Sequence, residues 1–125
     1  MRYLMLIYRD EAKMNAEREK VGAEAYTGQW MAYQAELGKT GKLLGGEALH
    51  GVAEATTVRG KSGGGTLTTD GPFVETKETL GGYFLIDAAD LDEAMAWAGK
   101  MPIFQTDGGV EIRPIMEFDW TPPAK

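Results

Sequence analysis

The sequence predicts an α+β domain in the order β-α-β-β-α-β with an extra hairpin in its middle, on three observations. Short apolar runs recur at residues 3–8, 43–44, 81–87 and 110–118. Two of the segments between them carry a helical repeat, and a Thr- and Gly-rich stretch divides the two halves. Taking that stretch out leaves the split βαβ order of a ferredoxin-like domain, with four antiparallel strands in one sheet and both helices on one face.

Residues 3–8, YLMLIY, are apolar throughout and closed by Arg9-Asp10-Glu11. A short run of this kind reads as a strand buried on both faces. Residues 10–22 are polar and rich in Glu and Lys, which predicts a loop or a solvated helical turn. Tyr26, Trp30, Tyr33 and Leu37 then fall at i, i+4, i+7 and i+11, one face of a helix. Gly38, Thr40 and Gly41 supply its stop, while Gly22 and Gly28 leave its start open. Residues 42–49, KLLGGEAL, predict a second strand whose Gly45-Gly46 pair marks a bulge or a close backbone approach. Residues 55–60 and 66–71 are Thr-rich strands around the Gly63-Gly64-Gly65 tip, an inserted hairpin over about 53–70.

GGYFLID, residues 81–87, predicts another core strand. The second helix follows at 89–101, with Asp90 as N-cap, Glu93 completing a capping box, and Leu91, Ala94, Met95 and Ala98 as its buried stripe. Pro102 and Gly108-Gly109 punctuate a loop, residues 110–118 form the last strand, and residues 121–125 form a tail to a single domain over 1–120. This arrangement poses a packing problem. Two helices cover one face of a sheet, and a one-sided sheet alternates apolar with polar residues. YLMLIY and YFLI do not alternate. A second copy of the chain is the simplest cover, so the expected assembly is a homodimer whose sheets form a dimeric α/β barrel.

Composition limits the function classes. The 125 residues hold 13 basic and 19 acidic side chains, a net charge of −6 with no basic run, which argues against nucleic acid and against an anionic membrane surface. The absence of cysteine removes disulfides, thiolate zinc sites and a cysteine nucleophile, and fits a reducing compartment. The six apolar residues at 3–8 are too short for a secretory core or a membrane span, so a cytoplasmic location is expected.

DGPFVETKE at 70–78, LGGYFLID at 80–87, LDEAMAWA at 91–98 and VEIRPI at 110–115, with RYLMLIYRDE at 2–11 and LLGGEAL at 43–49, together resemble the DGPF family, a branch of the YCII-related proteins. The resemblance covers nearly the whole chain and implies the same ferredoxin-like dimeric α/β barrel. It also implies that some relatives are enzymes on small cyclic or chlorinated aromatic compounds, using a His–Asp dyad. The dyad does not carry over. The first helix, YTGQWMAYQAEL, has Trp30 in the approximate place of the His, and GGEALHG after the second strand has no Asp. DGPF relatives also occur beside or fused to sigma factors of the extracytoplasmic-function type, which implies an association by resemblance only.

The candidate site residues surround the DGPF stretch. Asp70, Gly71 and Pro72 each have a turn reason, and Asp70 could equally accept from a ligand or activate water. Glu75 is the second acid–base candidate. Glu75 and Lys77 share a face if extended, either as a solvated edge or turned toward Arg113 inside the dimer. Glu111 and Arg113 lie on the face of the last strand opposite Val110 and Ile112. There Arg113 would pair with an acid or clamp an anion. His50, the only histidine, and nearby Glu47 complete the ligand-binding candidates. One His without Cys builds no zinc site, and the Gly pairs lack a phosphate-loop context, so no metal and no cofactor is expected. Three roles remain open: an enzyme on a small polar or aromatic molecule, a non-catalytic ligand-sensing or regulatory module, and a plain dimeric scaffold.

Overall fold

A computed structural model describes residues 1–119; the expected tail at 121–125 lies outside the described residues. The apolar run at the start forms β1 (Arg2–Arg9), where Tyr3, Met5 and Ile7 are buried and Leu4, Leu6 and Tyr8 are half-buried. β2 (Leu43–Ala48), β5 (Thr79–Asp87) and β6 (Gly109–Pro114) join it in an antiparallel sheet of order β2-β5-β1-β6, the ferredoxin-like arrangement. β3 (Thr56–Gly60) and β4 (Thr66–Asp70) pair only with each other, as the expected hairpin between β2 and β5.

Pairing places Met5 beside Phe84 and Ile112, and Tyr3 beside Ile86. These residues face α2 (Ala23–Lys39), whose Tyr33 and Leu37 are buried in the same cluster. Burial pushes the Tyr33 phenol pKa upward, so it stays protonated and donates to Trp97 O at 2.8 Å. The opposite face carries Leu4, Leu6, Tyr83 and Leu85, with Glu111 and Arg113 exposed on β6, as the alternation of β6 predicted. Among the described residues no helix lies over that face, and the four strands form an open sheet rather than a closed barrel.

Three elements differ from the sequence expectation. Residues 10–22 contain a full helix, α1 (Glu11–Val21), capped by Asp10, whose carboxylate accepts from Ala12 N at 3.0 Å and Lys13 N at 3.2 Å. Its Ala, Glu, Lys and Arg are strong helix formers. Only Met14 is buried, so no apolar stripe announces it. In α3 (Leu91–Ala98) the buried face is Ala94, Trp97 and Ala98, continued by Met101, while Leu91 and Met95 are exposed. The stripe is turned about one step from the expected one, because the small Ala94 and Ala98 let this short helix approach the sheet closely. β6 ends at Pro114 instead of 118, because its partner β1 begins at Arg2, whose carbonyl accepts from Ile115 N at 2.9 Å just beyond that end.

The start of α3 is tied to the sheet. Asp90 caps Glu93 N at 2.9 Å, and the Glu93 carboxylate reaches back to Ala89 N at 3.1 Å, one residue beyond the usual capping box. Lys42 donates to the same carboxylate, and that bond, with the Ala89 N–H, holds Glu93 below the usual carboxylate range. Among the described residues no helix is long and apolar enough to cross a membrane, and no group of three metal-ligating side chains gathers.

Candidate functional site

α1 and α2 meet at Gly22, whose φ of 94° lets the chain turn between them. The two helices form the roof of a cavity of about 240 Å³ over the β2-β5-β1 side of the sheet. Tyr26, Trp30 and Gln34 of α2 and Met14 and Arg18 of α1 line it from above. Ile7 and Arg9 of β1, Gly46 to Ala48 of β2 and Gly81 to Phe84 of β5 line it from below.

Glycine backbone makes this floor possible. Between Ile7 and Tyr8 the β1–β5 register slips, pairing Ile7 with Gly82 and Tyr8 with Leu80. Gly81 is therefore the extra residue of a bulge. A Cβ at Gly81 would stand 2.6 Å from Arg9 Nε, so only glycine lets the Arg9 side chain cross the strand there. A Cβ at Gly46 would stand 2.6 Å from the Phe84 ring, and one at Gly82 2.6 Å from Glu47 O. The expected bulge or close approach at Gly45-Gly46 is thus present in both forms, since the β2–β5 register also shifts between Leu43 and Gly45.

Arg9 donates from its terminal nitrogen to Leu49 O at 3.1 Å, while its Nε is buried without a hydrogen-bond partner. Arg18 stands 5.5 Å over the Tyr26 ring, a cation–π distance. Among the described residues, no carboxylate lies within ion-pair distance of either guanidinium.

The residues singled out from the sequence are not brought together. Glu47 is the one that reaches the cavity lining, with its side chain exposed. His50 pairs with Glu54 at 3.1 Å rather than with Glu47, and both are well exposed. Asp70 ends β4 opposite Thr56. Gly71 beside it has a φ of 102° and donates to Ala55 O at 2.7 Å, so the Asp-Gly-Pro run is a bend whose glycine extends the hairpin pairing by one bond. Phe73 is largely exposed, with Arg59 donating to its carbonyl and lying 3.9 Å over its ring. Glu75 is exposed in the following loop. Lys77 lies 3.9 Å from Asp10 and Arg113 3.9 Å from Glu111, so within one chain Lys77 and Arg113 have different neighbours. A second, more open cavity of about 660 Å³ lies between this loop and the sheet, lined by Tyr8, Leu49, Phe73, Val74 and Leu80 with His50 and Glu54.

Sequence reasoning missed Arg9, Arg18 and Gly81. Arg9 carried a signal as the charge that closes an apolar strand. Trp30 of α2 lines the cavity. The family model of the YCII-related domain matches residues 1–119. An uncharacterised protein of Rhizobium meliloti (strain 1021) is 38% identical to this chain over 116 residues, covering 92% of each.

Proposed function

This chain belongs to the YCII-related family, and we propose that it is a small-molecule binding protein whose ligand sits in the cleft between the sheet and α1 and α2. The observation that carries this reading is the cleft itself, a cavity of about 240 Å³ with aromatic walls and a floor held open by Gly46, Gly81 and Gly82. Preformed, mostly apolar concavities with a few polar groups are the usual form of ligand sites. Binding is favoured over acid–base catalysis because Asp70 and Glu75 lie in the hairpin and its loop, and Glu47, the one acid in the lining, is exposed and pairs with Tyr83, a residue of the opposite face. The Asp70-Gly71-Pro72-Phe73 run supports the DGPF branch, and the same cleft would serve a sensing role beside the sigma factors that this resemblance suggests. A thermal-shift screen of small carboxylates and phenols tests the reading. A hit should raise the melting temperature with dose, and Ala48→Trp at the rim should abolish the rise. An equal rise in Ala48→Trp would place the ligand elsewhere.

A second reading concerns assembly. Leu4, Leu6, Tyr83 and Leu85 make an apolar patch on the face without helices, and Leu80 beside it is 40% exposed. Such a patch supports a homodimer through this face. Sedimentation equilibrium at micromolar concentration should give twice the chain mass of 13.6 kDa. Leu6→Glu should return it to a monomer, and a monomeric parent protein would contradict the dimer.

A further inference from the structure

We infer that the ligand of this cleft is a small organic carboxylate, its anionic group held by Arg9 and Arg18 and its apolar body lying against Tyr26, Trp30 and Phe84; this rests on the cleft being the ligand site proposed above. The distribution of arginines points to it. Arg2 faces Glu117 and Arg113 faces Glu111, while Arg59, without a carboxylate, donates to Phe73 O and lines neither cavity. The two that remain, Arg9 and Arg18, both line one cavity. Among the described residues neither has a carboxylate partner, in a chain with 19 acids against 13 bases, where partners are in excess.

Arg9 is the stronger observation. A guanidinium stays charged at any physiological pH, and a buried charged donor without a partner is costly. The Gly81 bulge makes room for the Arg9 side chain at the cleft, where its Nε is buried without a partner, its terminal nitrogen meets one carbonyl, Leu49 O, and no carboxylate pairs with it among the described residues. A carboxylate supplies what is absent, because its two oxygens match the guanidinium fork. The size of the cavity, about 240 Å³, keeps the ligand small. The neutral Thr27 and Gln34 at the helix side add hydrogen bonding without a competing charge.

Titration calorimetry with matched acid and amide pairs separates the two levels of the reading: benzoate with benzamide, phenylacetate with phenylacetamide, and hexanoate with hexanamide. At least one acid should bind about tenfold or more tightly than its amide, a preference typical of one charge-assisted contact. Arg9→Met should erase the preference, acid and amide then binding alike, while a cooperative circular-dichroism melt shows that the variant is folded. Arg18→Gln, at an exposed position, should reduce the preference and serves if Arg9→Met fails to fold. Acid and amide bound equally would overturn the carboxylate and leave the cleft as a ligand site. No binding by any pair at millimolar concentration would overturn both.

Discussion

Replacing Leu37 with alanine is expected to cost about 2–5 kcal/mol of folding stability. Leu37 has no exposed surface and sits among Met5, Ile86 and Ile103, the other largest fully buried side chains. It lies on the same helix as Tyr26 and Trp30, so it fixes the height of the cleft's roof as well as the core beneath it. Truncation removes apolar burial and leaves a cavity that a sheet on one side and a helix on the other cannot close. Urea unfolding at fixed protein concentration reads the effect as a lower midpoint with an unchanged slope. A loss below about 1 kcal/mol would mean that the helix settles into the gap and that Leu37 is not the anchor described.

Gly82→Ala is the second large effect, with an expected loss of about 1–3 kcal/mol from overpacking. Its new Cβ would lie 2.6 Å from Glu47 O and 3.3 Å from Ala48 Cα. Both are backbone atoms of β2, so no side chain can swing away; the β2–β5 pairing itself must part. Since β2 is an edge strand and lines the cleft, ligand binding should weaken together with stability. Gly45→Ala is the internal control. It lies on the same strand with nothing within 4 Å of the added carbon, and its effect should stay within about 0.5 kcal/mol. Equal losses at the two positions would show that backbone entropy, not the contact with β2, sets the cost.

The sheet, α2 and the hairpin were legible because each is encoded locally. Tyr26, Tyr33 and Leu37 repeat at helical spacing and all three are buried, and the Thr-rich arms of the hairpin pair as read. α1 was legible only as a loop or a solvated helical turn, because burial of Met14 alone leaves no periodicity, although its composition favours a helix. α3 was found but turned, because the alanines that touch the sheet look weaker in sequence than the exposed Leu91 and Met95. The cleft was the least legible part. Arg9, Arg18, Trp30, Gly46 and Gly81 come from five places in the chain, and only strand pairing and helix docking bring them together. The stretch Asp70 to Glu78 drew attention instead because turn chemistry and clustered charge are both visible in a few consecutive letters. At Gly71 the chain bends, and its N–H and carbonyl both bond across the hairpin, to Ala55 O and Thr57 Oγ1.

The most direct measurement follows backbone amide and indole shifts by nuclear magnetic resonance during titration with the best acid from the calorimetric panel. The cleft as the ligand site predicts saturable shifts at the Gly46, Gly81 and Gly82 amides and the Trp30 indole. Shifts confined to His50 and to Asp70 through Glu78 would contradict it and return the site to the loop beneath the hairpin.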